Sequence, residues 1–436
     1  MFANFLARSG IFYGWWVVFA AAFIVFLSAG TFFYGFGLLV QPLTDEFGWS
    51  RASIAGAFSL RSEVSGVAAP VIGFLLDRVG VRRITIAGVL LACLGFVFLS
   101  QVESLFMFYV ATIVIAVGMS GCGGATAAAA ISQWFRRNRG KALGLMTLGG
   151  GMGGLSVVGF GWLISEYGWR DALVILAVAQ MIFCLPIAFS IRNKPDDLGL
   201  KPDGIDEDPL PVKAFAGEAP ALAGGAPAPV DGGPAFTTKQ ALRSPMFWKV
   251  ALVFGLSNYA TTGLIVHQVP FLQEQAGASV GFAALSVSLM TALSIPGRLG
   301  FGAAADRFSK VWVMVVALSF TATGLVLLAT VREPWQLVYA LPFFSLGFGA
   351  AVPLRSVLQA EYFGLKAFGA IQGMILTVTT LFSVVGPVLA GVMYDQSGSY
   401  RLAFVFLAMG PLLAIPLVLS LRQPQTEVTV VPVTTG

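Results

Sequence analysis

Twelve stretches of this chain each hold roughly 20 residues with almost no charge, the length an α-helix needs to cross a hydrocarbon layer of about 30 Å. They fall near residues 14–40, 53–76, 84–101, 105–132, 142–165, 172–191, 247–272, 281–304, 311–330, 335–360, 368–393 and 402–421. Hydrocarbon offers no partner to a bare peptide group, so a spanning segment must bond its backbone internally or close into a barrel. The runs are unalternating rather than period-two, which selects helices over barrel strands. The 436 residues are 57% hydrophobic and 11% charged. A soluble domain carries about a quarter charged residues. The expected fold is therefore an all-α membrane protein of twelve transmembrane helices.

Lys and Arg are distributed unevenly between the loops. If the N-terminus is inside, the inner face collects Arg8, Arg78, Arg82, Arg83, Arg136, Arg137, Arg139, Lys141, the basic residues from Arg192 to Lys249, Arg307, Lys310, Lys366 and Arg422. The outer loops hold Arg51, Arg170, Arg332 and Arg401. Basic loops stay on the cytoplasmic side, so both termini are expected there, with a cell (inner) membrane as the location. The net charge of +5 is then explained by topology and calls for no nucleic-acid partner. The first apolar run is too long for a signal-peptide core and is read as a retained helix.

Between Asn193 and Ser244 the composition turns to Pro, Gly, Ala and acids, which cannot pack a core. This divides the chain into an N-terminal six-helix bundle over 1–193, a cytoplasmic linker over 194–246, and a C-terminal six-helix bundle with a short tail over 247–436. The two bundles echo each other. GFLLDRVGVRR from Gly73 is answered by GAAADRFSK from Gly302, WFRRNRGKALG from Trp134 by YFGLKAFGAIQG from Tyr362, and GWRDAL from Gly168 by SYRLAF from Ser399. Three echoes in one order indicate a duplicated, pseudo-symmetric pair, the usual build of a carrier whose site lies at the midplane.

Ionisable side chains at depth cost on the order of 3 kcal/mol or more, so they mark function or a fixed partner. Four stand inside spans: Arg61 and Glu63 in the second, Arg298 in the eighth and Arg355 in the tenth. Arg298 lies eight residues before Asp306, about 12 Å along a helix, which puts it near mid-membrane. A guanidinium presents a planar fork that matches a carboxylate. Arg298 is the expected anion anchor, with Arg355 and Arg61 as further substrate contacts or structural partners. Glu63 is two residues from Arg61 and does not share its helix face, so it is a proton carrier, a partner to Arg298 or Arg355, or a solvated group. His267 is the chain's one histidine; it is a satisfied structural residue or a second coupling group. Tyr34, Asn258, Tyr259 and Gln372 can complete a polar pocket or simply bond between helices. Prolines within spans, Pro296 above all, are places where a helix can break.

Gly149, Gly151 and Gly154 spell GxGxxG, but no strand precedes them, so they are read as helix-contact residues and no nucleotide cofactor is expected. Cys93, Cys122 and Cys184 have no ligand-like spacing, so no metal or disulfide framework is indicated. No nucleophile motif or catalytic constellation appears, and the chain is not expected to be an enzyme.

The loop Gly73, Asp77, Arg78, Gly80, Arg82, Arg83, repeated as Gly302, Asp306, Arg307, resembles the signature of the major facilitator superfamily over nearly the whole chain outside the linker. That resemblance implies the major facilitator fold, monomeric function, and a gating role for Gly73, Asp77, Arg78, Gly302, Asp306 and Arg307. YGWW from Tyr13, EFGWSRASI from Glu46, HQVPFL from His267 and Arg298 itself look like the monocarboxylate transporter and oxalate:formate antiporter branch. The branch implies alternating-access transport of a small organic anion such as lactate or pyruvate, with proton symport; exchange of oxalate-like dianions and efflux of drugs or metabolites are the alternatives. The chain departs from the branch in three places. Its first span carries no lysine, Ser294 stands one turn before Arg298 where animal carriers have aspartate, and the span from Phe368 to Met393 lacks the lysine of oxalate exchangers.

Overall fold

A computed structural model describes residues 12–135, 138–204, 236–364 and 367–421. Arg8, Arg136, Arg137, Lys366, Arg422, the middle of the linker and the Asp77 side chain lie outside the described residues.

The described residues form two sets of six long helices. The first set runs α1 (Tyr13–Ser28, a π turn Ala29–Tyr34, then Gly37–Phe47), α2 (Arg51–Val79), α3 (Val81–Ser100), α4 (Leu105–Cys122 and Gly124–Trp134), and α5 (Arg139–Met152, the turn Gly153–Leu155, then 156–167). It closes with α6, residues 169–190, which follows α5 with no loop: Ser156–Ser190 is one helical stretch broken at Gly168, whose φ of 78° only glycine adopts freely. The second set is α7 (Pro245–Gln275), α8 (Val280–Arg307), α9 (Lys310–Leu328), α10 (Leu337–Phe363), α11 (Phe368–Ser397) and α12 (Tyr400–Leu419). A six-residue helix, Thr238–Arg243, leads into α7. Ten stretches of the described residues are long and apolar enough to cross a membrane; Lys141–Ser190 holds both α5 and α6, and α2 completes the twelve.

Several helices, α2 and α8 among them, start earlier than their apolar runs because polar residues build their ends. Ser50, Ser104 and Ser279 cap α2, α4 and α8, each accepting from the backbone N–H three residues on. Such a cap satisfies one of the orphan donors that every helix start leaves.

Within each set, one equivalent pair of helices packs backbone to backbone through glycine. Between α3 and α4, a Cβ on Gly88 would come within 2.6 Å of the Cys122 nitrogen, and one on Gly118 within 2.4 Å of the Ala92 nitrogen. Between α9 and α10, a Cβ on Gly324 would meet the Phe344 nitrogen at 2.3 Å, and one on Gly347 the Ala317 carbonyl at 2.6 Å. Backbones packed this closely are the membrane substitute for a hydrophobic driving force.

Pro296 and Pro387 break nothing: α8 and α11 run straight through them. Pro387 removes the N–H that would bond the Ser383 carbonyl; Thr262 Oγ1 on α7, which donates to the Asn258 carbonyl at 2.8 Å, approaches that carbonyl at 3.3 Å. The helices are interrupted instead at the π turn of α1, at Gly123 in α4, at the turn Gly153–Leu155 of α5 and at Gly168.

Candidate functional site

The π turn carries one residue more than an α turn, and such turns occur mainly at functional positions. Here it is built by contact. A Cβ on Gly30 would lie 1.7 Å from Ser156 Oγ and 2.4 Å from the Gly153 carbonyl, so α1 meets α5 backbone to backbone. Gln180 Nε2 on α6 donates to Thr31 Oγ1 at 3.1 Å, both groups buried, and pins the turn from the other side. The turn then delivers Phe33 and Tyr34 in succession toward the middle of the bundle.

These two rings stand between two guanidinium groups. Arg61 lies 4.8 Å over the Phe33 ring and 4.7 Å over the Phe58 ring, with Phe32 at 5.9 Å. Phe33 packs edge-on against Tyr34, centroids 5.0 Å apart. The Tyr34 hydroxyl interacts with the Arg298 guanidinium across the boundary between the two sets of helices. On α5, a Cβ on Gly151 would sit 2.6 Å from Arg298 Nη1, so this glycine leaves the guanidinium room to reach α1.

None of the four intramembrane ionisable residues neutralises another. Arg61, Glu63, Arg298 and Arg355 each hold a buried side-chain atom with no hydrogen-bond partner, namely the three Nε atoms and Glu63 Oε1. Among the described residues the ion pairs are Arg51–Glu274, Arg170–Glu46 and Lys310–Glu361. The alternative in which Glu63 pairs with Arg298 or Arg355 is thus absent from this conformation. Glu63 lies one turn along α2 from Ser59, whose hydroxyl donates to the Val384 carbonyl of α11 at 3.2 Å, so that carboxyl sits on the face that meets α11.

The remaining predicted residues scatter. Asn258 donates to the Thr379 carbonyl at 3.2 Å and ties α7 to α11. The Tyr259 hydroxyl points to the Phe406 carbonyl on α12 at 3.4 Å, away from Arg298. Gln372 is half-buried in α11 with no hydrogen bond among the described residues. His267 is fully buried: Nε2 donates to the Pro387 carbonyl at 2.8 Å and Nδ1 lies 3.3 Å from the Tyr400 hydroxyl, so both nitrogens are occupied. Of the GxGxxG glycines, Gly149 packs on the Ala22 backbone and Gly154 on Thr291.

At the linker end, Asp306 and Arg307 are exposed, and Arg78 lies 4.1 Å over the Phe74 ring. Gly302 is buried in α8, whereas nothing lies within 4 Å of a Cβ on Gly73. At the far end the two sets are joined by charge, a feature sequence reasoning missed. Arg51 of α2 pairs with Glu274 of α7, and the Asp395 carboxylate of α11 accepts from the Arg51 and Ala52 N–H groups at 3.0 and 3.1 Å. In sequence these are ordinary end-of-helix charges, and only the third dimension brings them together. On the same end, the Arg170 guanidinium holds the exposed Glu46 carboxyl below its usual range, assisted by the Trp169 indole N–H at 2.8 Å.

The sequence model of the Major Facilitator Superfamily matches residues 18–303 and 255–434. Monocarboxylate transporter 11 of Mus musculus is 27% identical over 408 residues, covering 90% of this chain and 84% of that one. The oxalate:formate antiporter of Oxalobacter formigenes is 23% identical over 411 residues, 92% of this chain and 90% of its own. In fold, the chain is similar to a bacterial homolog of the human lysosomal transporter Spinster, solved inward-facing and unoccupied, with a TM-score of 0.67 at 18% identity over 93% of this chain and 95% of that one.

Proposed function

Given that the chain belongs to the Major Facilitator Superfamily of multi-pass membrane transporters, we propose that it carries a small organic monocarboxylate by alternating access, with Arg298 as the carboxylate anchor. The observation that carries this reading is the charge left over at mid-membrane. Arg61, Arg298 and Arg355 lie at depth beside one carboxyl, Glu63, and no ion pair among the described residues cancels any of them. An uncompensated guanidinium is costly in low dielectric, and an anion that pairs with it recovers part of that cost. Arg298, on a helix of the second set, meets two helices of the first at Tyr34 and Gly151, which is where a substrate must sit if both halves are to respond to it. The relatives named for monocarboxylate and for oxalate and formate support the anion class.

Glu63 is the proton carrier in this reading. With the carboxyl protonated, the middle of the bundle has a larger positive excess and takes an anion more readily, which couples the two cargoes in one direction. The linker end faces the cytoplasm, in accord with its lysines and arginines, and the carrier works as a monomer in a cell membrane. Exchange of oxalate-like dianions is the second reading, and Arg61 favours it: a second guanidinium without an ion-pair partner lies across the Phe33 and Tyr34 rings from Arg298.

Uptake of labelled lactate, pyruvate and oxalate into proteoliposomes, with and without an inward proton gradient, tests both. A monocarboxylate should enter, the gradient should stimulate entry in the wild type but not in Glu63→Gln, and Arg298→Ala should lower uptake by about 100-fold, as for a lost charge-assisted bond of roughly 3 kcal/mol. Full transport by Arg298→Ala would remove the anchor. Uptake of oxalate alone, unaffected by the gradient, would select the exchanger.

A further inference from the structure

The polar contacts between the two sets of helices gather at the end away from the linker. Arg51 is buried with its side chain 6% exposed, and its partner Glu274 is 15% exposed. Its guanidinium also stacks on Tyr394 at 4.3 Å, while the Tyr394 hydroxyl bonds Glu274. The Asp395 carboxylate closes on the first two N–H groups of α2, where the helix presents unpaired donors and the positive end of its dipole. Below this cluster a Cβ on Gly391 would come within 2.7 Å of the Ala52 nitrogen, and Ser59 bonds the Val384 carbonyl. On the opposite seam, Ser288 donates to the Gly154 carbonyl at 2.6 Å and Gly161 packs on Ala284.

We propose that Arg51, Glu274, Tyr394 and Asp395 form a latch that holds the outer end of the carrier shut, with α2 as the lever joining that latch to the charged middle of the bundle. The assignment rests on the reading that the linker end faces the cytoplasm. Every bond that crosses between the sets in this latch runs from the start of α2 to α7 or α11, so one outward swing of α2 parts them together, while the Tyr394–Glu274 bond stays within the second set. Arg61 and Glu63 ride the same rigid helix, about 15 Å further along. Opening the latch therefore strips α11 from Ser59 and then uncovers Glu63 to the outside.

The chemistry suits a contact that must break in every cycle. A buried pair gains little net free energy because desolvation cancels much of its attraction, and water entering the open seam rehydrates both partners. Two conformations within a few kcal/mol of each other are what alternating access requires.

Ser59, 1% exposed in the seam, is the reporter. In a background with Cys93, Cys122 and Cys184 changed to serine, Ser59→Cys is labelled with a membrane-impermeant maleimide added outside intact cells. It should be protected while the latch is intact and labelled about tenfold faster in Arg51→Ala and in Glu274→Gln, with Arg51→Lys between. Glu333→Cys, exposed at the same end between α9 and α10, reads the orientation separately. If it resists labelling from outside, the orientation is reversed, and the same Ser59→Cys comparison in inverted vesicles still reads the latch. An oxidised pair, Ser59→Cys with Val384→Cys, should stop uptake and regain it on reduction, which excludes misfolding as the cause. Unchanged protection of Ser59→Cys in both latch variants, or full uptake by the cross-linked pair, overturns the proposal.

Discussion

Residues of one chemical type have different roles in this molecule according to whether their polar atoms are satisfied. His267 shows the satisfied case: its ring joins the Pro387 carbonyl to the Tyr400 hydroxyl and has no nitrogen left to exchange a proton with substrate. Replacing it by phenylalanine removes both of these buried side-chain bonds, a loss of about 1–3 kcal/mol in stability. We expect His267→Phe to melt earlier in detergent while the proton dependence of uptake is unchanged; a shifted pH profile at normal stability would make His267 a coupling group. Arg61, Glu63, Arg298 and Arg355 show the unsatisfied case, and they were legible in the sequence because a charge inside a 20-residue apolar run has few structural excuses. Tyr259 and Asn258 were not legible in the same way. A polar side chain on a buried helix can face any of several neighbours, and the hydropathy of the run does not say which, so Tyr259 proved to look at α12.

Among the elements, α1 departs furthest from what its sequence announces. Its apolar run reads as one helix, yet the backbone widens into a π turn at Ala29–Tyr34 because α5 presses on Gly30 and α6 holds Thr31. Both causes are tertiary, so no local pattern reports them. Gly30→Ala should push α1 off Ser156 and displace Tyr34 from Arg298, lowering substrate affinity by about tenfold, while the added change Ser156→Gly, which removes the nearest obstructing oxygen, should recover part of it. Equal affinity in wild type and Gly30→Ala, measured by uptake kinetics, would show that the turn does not position the tyrosine. Helix ends were misplaced for a simpler reason. Ser50 and Ser279 end apolar runs by hydropathy but begin helices by hydrogen bonding, so each boundary moved outward by a residue or more.

At the scale of the whole molecule, the sequence disclosed the number of helices and their repeat, because both follow from hydropathy and from paired motifs. It did not disclose which end is shut, since the cluster of Arg51, Glu274 and Asp395 joins residues more than two hundred positions apart. The glycine seams of α3 with α4 and of α9 with α10 have a consequence for assembly. Each set of six completes its closest backbone contacts without help from the other, whereas the contacts between sets include hydrogen bonds and an ion pair that water can replace. The chain is then, in effect, a heterodimer whose two subunits happen to be translated as one polypeptide. Two fragments divided within residues 205–235 and expressed together should each insert, find each other in the bilayer and restore uptake; fragments that insert but never associate would make covalent continuity essential to docking. If they do associate, the role of the connecting segment is to set stoichiometry: it guarantees one copy of each half for every carrier.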